Sequence, residues 1–302
     1  MPPADDESLV SKDGGNPAAV GSPTSFRVMG ILNVTPDSFS DGGRYVDPRA
    51  AVEHALELEA AGAAIIDVGG ESTRPGAEPV TEAEELERVV PVLEGLRDAG
   101  LKATISIDTS KVAVARAAID AGASIVNDVT AFRAEPALAS LVAERGVDCC
   151  LMHMLGEPRT MQRDIHYGDV VREVCEFLEE RVGYALAAGV ARERITIDPG
   201  IGFGKRVEDN LELLARLDEV SSLGLPVLVG TSRKSFLGIV TGKPDAERLP
   251  GTIATCVMAF ERGASTFRVH DVAPVLDALA VAAATVTGRW KTTPTSSTSP
   301  KS

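Results

Sequence analysis

The sequence predicts a closed (β/α)8 barrel, the TIM-barrel class of α/β folds. Three observations point there. Eight short β-rich runs alternate with helical patterns. Most of these runs are continuously apolar, as strands covered on both faces should be. No GxGxxG follows the first run, which disfavours the rival closure, a doubly wound open sheet.

The expected strands, in order, are RVMGILN (27–33), AIIDVG (64–69), ATISID (103–108), SIVND (124–128), DCCLMH (148–153), RITID (194–198), PVLVG (226–230) and TFRVH (266–270). Helical patterns fill the gaps. Those at 50–62, 81–100, 111–122, 136–146 and 169–189 each stop on a glycine, the residue that most readily takes the left-handed turn after a helix. Asp209 to Gly224 forms the sixth helix, Lys234 to Gly263 two helices, and Asp271 to Gly288 the last. The expected catalytic unit is 26–290, a single domain. Residues 1–25 are polar and rich in Pro, Gly and Asp, and 291–302 read KTTPTSSTSPKS. Both are expected to be disordered tails.

Composition removes several function classes. The net charge is −14 and the isoelectric point lies near 4.8, which argues against a nucleic-acid or anionic-membrane partner. No stretch approaches the roughly 18 apolar residues of a spanning helix, and the N-terminus has no apolar signal core. The four cysteines form neither a CxxC nor a zinc spacing. They are expected as reduced thiols of a cytoplasmic protein.

In such a barrel the active site lies at the C-terminal ends of the strands. Those ends carry Asn33, Asp67, Asp108, Asn127 with Asp128, His153, Asp198, Ser232 with Arg233 and Lys234, and Arg268 with His270. One polar strand end is an ordinary cap. A polar group at the end of all eight is a site, because unpaired charges in a barrel mouth cost several kcal/mol. They must pair with one another or with ligands. The set divides by sign. Asp108, Asn127 and Asp198 offer acceptors to a ligand edge rich in N–H groups. Arg233, Lys234, Arg268 and His270 stand on the last two strands, where these barrels often hold phosphate. Two long glycine-bearing loops, 35–45 and 69–79, flank the mouth. Several motifs fail: DPGIGFGK and GTSRKS are not Walker A loops, and no HExxH occurs. His54 and His166 read as surface residues, and His153 as a satisfied barrel histidine.

MGILNVTPDSFSDGG (29–43), DVGGESTRPG (67–76), SIDTSK (106–111), NDV (127–129), LMHM (151–154), DPGIGFGK (198–205), GTSRKSFLG (230–238) and RVHD (268–271) together resemble the dihydropteroate synthase family of folate biosynthesis. The resemblance implies a transferase that joins 7,8-dihydropterin-6-ylmethyl diphosphate to 4-aminobenzoate with Mg2+. It places the pterin on Asp108, Asn127, Asp198 and Lys234, and Mg2+ on Asn33. Thr73, Arg74, Arg268 and His270 would meet the diphosphate. Phe39 and Pro75 would pack on aminobenzoate, with Ser235, and more weakly Arg233, near its carboxylate. Asn33, Asp108, Asp198, Lys234, Arg268 and His270 form the implied catalytic set. The family also implies a homodimer and sulfonamides as competitors of aminobenzoate. Two rivals are a pterin-dependent methyltransferase, which has no use for Arg74, Arg268 and His270, and a non-catalytic pterin-binding copy, in which such loops are usually lost.

Overall fold

The computed structural model describes residues 25–35, 47–73, 76–157 and 159–290. The two tails and the middle of the first loop therefore lie outside the described residues. Eight parallel strands close into a barrel in sequence order. They are β1 Arg27–Asn33, β2 Ile65–Gly69, β3 Thr104–Asp108, β4 Ile125–Asp128, β5 Asp148–Met152, β6 Ile195–Asp198, β7 Val227–Val229 and β8 Ala264–Val269. Every neighbouring pair is parallel, and β8 closes on β1 with Met29 opposite Arg268.

The helices are α1 Pro48–Ala60, α2 Glu82–Asp98, α3 Val112–Asp120, α4 Ala137–Arg145, α5 Val170–Ala187, α6 Val207–Ala215, α7 Leu217–Ser221, α8 Ser235–Thr241, α9 Leu249–Glu261 and α10 Val272–Thr287. Their starts are written in the sequence. Asp47 caps α1 ahead of Pro48, and Asp169 caps α5. Thr81 and Glu84 form a reciprocal capping box on α2. The glycine stops hold too, since Gly62, Gly100, Gly122, Gly146 and Gly189 all have positive φ. No described helix is long and apolar enough to cross a membrane.

Two expectations need correction. The sixth helix is broken at Arg216, where φ −113° and ψ 30° leave the helical region. Its guanidinium reaches Glu212 and Glu219 on either side and Asp169 at the start of α5, which stabilises the break. The last strand starts earlier, at Ala264, and ends before His270. A register shift against β7 at Val227 and Leu228 accommodates the extra residues.

Strand residues alternate between two environments, as the two-residue pleat demands. Val28, Ile66, Ile107, Val126, Cys149, Ile197, Val229 and Phe267 pack outward beneath the helices in the main core. Met29, Ile65, Ile125, Cys150 and Leu228 form a separate cluster inside the barrel. Adjacent Cys149 and Cys150 therefore fall on opposite faces, as expected. Further up, the inward series turns polar and makes the mouth.

Candidate active site

The mouth is built on one shared cation. Arg268, next to last on β8, donates from Nε to Asp67 Oδ2 at 2.6 Å and from Nη2 to Asp108 Oδ2 at 2.8 Å. Asn127 on β4 donates its amide to the same Asp67 oxygen at 3.1 Å. Asp67 is fully buried and its Oδ1 has no hydrogen-bond partner. One guanidinium thus faces two buried carboxylates. Burial opposes its charge, but Asp67 and Asp108 outweigh that and hold Arg268 above its ordinary value. Burial pushes Asp108 up more strongly than Arg268 draws it down, and the neighbouring Asp67 carboxylate adds to the rise. This carboxylate is ready for a better donor.

The second half of the mouth lies over β6 and β7. Burial raises Asp198, opposed by the Lys234 ammonium and by the Gly200 amide, which donates to Asp198 Oδ1 at 2.7 Å. Lys234 is brought down to about 8 by burial, with Asp198 pulling the other way. Its ammonium donates to the Ile201 carbonyl and stands 4.5 Å from the centre of the Phe203 ring. The β6–α6 loop makes this possible. Gly200 has φ 68°, and a Cβ there would lie 1.9 Å from the His153 carbonyl oxygen. Gly202 has φ 85°, and its Cβ would lie 2.9 Å from Lys234 Cδ. At 200 the backbone leaves room for glycine alone, and at 202 a side chain would be strained and would push Lys234 aside.

The remaining candidates separate. His270 faces Ser232, whose Oγ accepts from the His270 backbone N–H at 3.1 Å and lies 3.0 Å from Nδ1. Arg233 has φ 56°. Its fork holds Asp271 at the start of α10, at 2.9 and 2.6 Å. Asp128 is also a local element: it accepts from Thr130 and Phe132 backbone amides and caps the β4–α4 turn. Asn33 ends β1 opposite Gly69, Thr73 is half-buried on the second loop, and Ser235 is exposed at the start of α8. Phe39, Arg74 and Pro75 lie outside the described residues. His166 is exposed, and His54 sits at the surface beside Glu57.

Sequence reasoning gives no role to three participants. Asp67 carries the same signal as Asp108, a carboxylate in an apolar strand. Phe203 and Lys205 sit in a glycine motif that, as a sequence, reads only as a failed phosphate loop.

The chain matches the family model described as pterin binding enzyme over residues 29–270. It is 48% identical over 262 residues to the dihydropteroate synthase of Escherichia coli (strain K12), covering 87% of this chain and 92% of that one. The chain belongs to the dihydropteroate synthases. Solved members superpose closely. A Xanthomonas albilineans dihydropteroate synthase with 4-aminobenzoic acid gives a TM-score of 0.79 at 50% identity, covering 84% of this chain and 91% of that one. A Yersinia pestis dihydropteroate synthase in complex with a sulfonamide drug gives 0.81 at 44% identity, covering 87% and 94%. As a dihydropteroate synthase the chain is a transferase of folate biosynthesis.

Proposed function

We propose that the mouth sorts the two substrates of dihydropteroate synthesis by charge. The reaction joins 7,8-dihydropterin-6-ylmethyl diphosphate to 4-aminobenzoate and releases 7,8-dihydropteroate and diphosphate. The observation that carries the assignment is the pair of buried carboxylates, Asp108 and Asp198, each raised by burial: Asp108 shares Arg268 with Asp67, and Asp198 accepts from the Gly200 amide with Lys234 nearby. The amino-pyrimidinone edge of a pterin supplies further N–H donors to such groups, and Asn127 completes that edge. Lys234 lies between this pocket and the Phe203 ring, which suits a second, aromatic anion such as 4-aminobenzoate. Ser235 begins the helix beside it. Arg268, His270, Thr73 and Arg74 serve the diphosphate.

The family resemblance implies Mg2+. Among the described residues no three His, Cys, Asp or Glu side chains gather as a metal cage. A metal that keeps its waters and binds phosphate oxygens needs only a protein oxygen or two. The Asn33 amide and the unpartnered Asp67 Oδ1 are the hard donors that fit. These two residues would hold the ion, which would supply charge neutralisation to the leaving diphosphate.

The residues support a dissociative displacement. Arg268 and His270 stabilise the departing oxygen as the methylene C–O bond breaks. Asp108 and Asp198 hold the ring whose electrons delocalise the methylene cation. Lys234 orients the weakly nucleophilic aniline, which forms the C–N bond and loses a proton to solvent. The side chains act by position and charge, and no covalent nucleophile is used. Mixing both substrates with Mg2+ and following diphosphate release tests the reading. Pterin uptake without release would make the chain a non-catalytic copy.

The catalytic unit is 26–290. All four cysteines are free, in keeping with a cytoplasmic setting. Ile239 and Val240 on α8, Met258 on α9 and Val281 on α10 are exposed apolar side chains on adjoining helices. This surface suits a homodimer, and Val281→Glu should yield a monomer in sedimentation if it does.

A further inference from the structure

The β6–α6 loop contains a cation that the scheme above does not use. Lys205 is nearly inaccessible, at 3% exposure. Its ammonium lies 2.8 Å from His153 Nδ1, 3.1 Å from the Phe203 carbonyl oxygen and 3.5 Å from the His153 carbonyl oxygen. Three donors therefore meet three acceptors. Two of these acceptors belong to the end of β5. The third belongs to the residue whose ring stands against Lys234.

The rest of the loop is tied with equal completeness. Gln162 donates to the Gly202 carbonyl at 3.0 Å, and Tyr167 to the Gly204 carbonyl at 2.8 Å. Asn210 accepts from the Gly202 amide at 2.6 Å and donates to the Arg206 carbonyl at 2.7 Å. His153 itself is seated edge-on against Phe177, with centroids 4.8 Å apart. The Lys205 contacts reach His153, directly after β5, and so tie the loop next to the end of that strand. The Ile201 carbonyl and the Phe203 ring, which together hold Lys234, project from the part so pinned.

We propose that Lys205 is a positioning residue. Through His153 and the Phe203 carbonyl it fixes the loop that places Lys234 between the two substrates. Burial brings Lys205 down to about 7, which is a cost a purely structural tie would avoid with a neutral donor. Its charge also lies close enough to Asp198 to oppose the rise caused by burial there. The second support is therefore electrostatic, and it acts on the same pocket. This inference rests on the role given to Lys234 above.

A double-mutant cycle on KM for both substrates tests it. Lys205→Met alone should raise the aminobenzoate KM about tenfold or more, the scale of a lost charge-assisted contact. In a Lys234→Ala background the same change should add little, because its effect passes through Lys234. His153→Phe keeps the packing on Phe177 and removes only the acceptor, so it covers the case in which Lys205→Met fails to fold. It should show a smaller rise with the same lack of additivity. If either change adds in full to Lys234→Ala, Lys205 supports the fold alone and the inference is wrong. If Lys234→Ala moves neither KM, the reading of Lys234 fails, and this inference fails with it.

Discussion

The barrel has a floor and a mouth, made by the same strands a few residues apart. On the floor Met29, Ile65, Ile125, Cys150 and Leu228 fill the interior with apolar side chains. In the mouth the inward series continues as Asp67, Asp108, Asn127, Asp198 and Arg268, all buried or nearly so. The apolar cluster of the floor is held by packing, which does not depend on what binds above. The mouth is satisfied by exchangeable pairing, in which one guanidinium serves two carboxylates. Stability can be read from the floor. Function is found where the interior is charged and incompletely matched.

The largest test of this contrast is Arg268→Met. It leaves Asp67 and Asp108 buried with no cation, at a cost of about 3–5 kcal/mol in unfolding free energy. It should also slow turnover by about 10²–10³ through weaker support of the leaving group. Adding Asp67→Asn should restore much of the stability, read by chemical denaturation, and none of the rate. Rate and stability recovering together would mean that mouth and floor do the same job.

Asp198→Ala is expected next in size. Pterin affinity should fall by about 1.5–3 kcal/mol in calorimetry, the scale of a charge-assisted hydrogen bond, with the fold intact. Unchanged affinity would remove Asp198 from the pocket.

A smaller effect concerns acid. Burial holds His153 down at about 2, with the neighbouring Lys205 adding to it, whereas an unfolded histidine titrates near 6.5. Between those values the unfolded chain binds more protons, so this residue makes stability fall as pH drops through that window. His153→Gln should remove that contribution. The stability of wild type minus variant should then decline from pH 6.5 downward, and a flat difference would contradict the burial assigned to the ring.

The smallest effect belongs to the floor. Ile65→Val should cost about 1 kcal/mol of stability and leave both KM values and kcat alone. A change in KM would show that floor packing is transmitted to the mouth.

The barrel was legible because its signals are local. Apolar runs, Asp47 and Thr81 as caps, and glycines after helices each act within a few residues. The carboxylates of the mouth were legible because a charge in an apolar strand is tolerated only when it is paired or meets a ligand. Partner choice was not legible. Arg233 and Arg268 look alike in sequence, yet a left-handed backbone at Arg233 turns its fork to Asp271, and only Arg268 reaches the interior carboxylates. Arg216 likewise breaks a helix that periodicity runs through, because its three acidic partners come from separate segments. Lys205 was hidden for the same reason, since His153 is distant in the chain and adjacent only through the β5–β6 pairing.

The glycines at 200 and 202 bear on how inhibitors of this enzyme would age. A side chain at position 200 collides with the backbone of β5, and one at 202 displaces Lys234. A side chain at 200 would have to move main chain, and one at 202 would carry a left-handed backbone and push Lys234 aside, so both changes are costly to the enzyme. A compound braced against this stretch of main chain would therefore meet a wall that mutation cannot easily reshape. Selection for escape would be driven to other surfaces of the site, and a drug that leaned least on those surfaces would keep its potency longest.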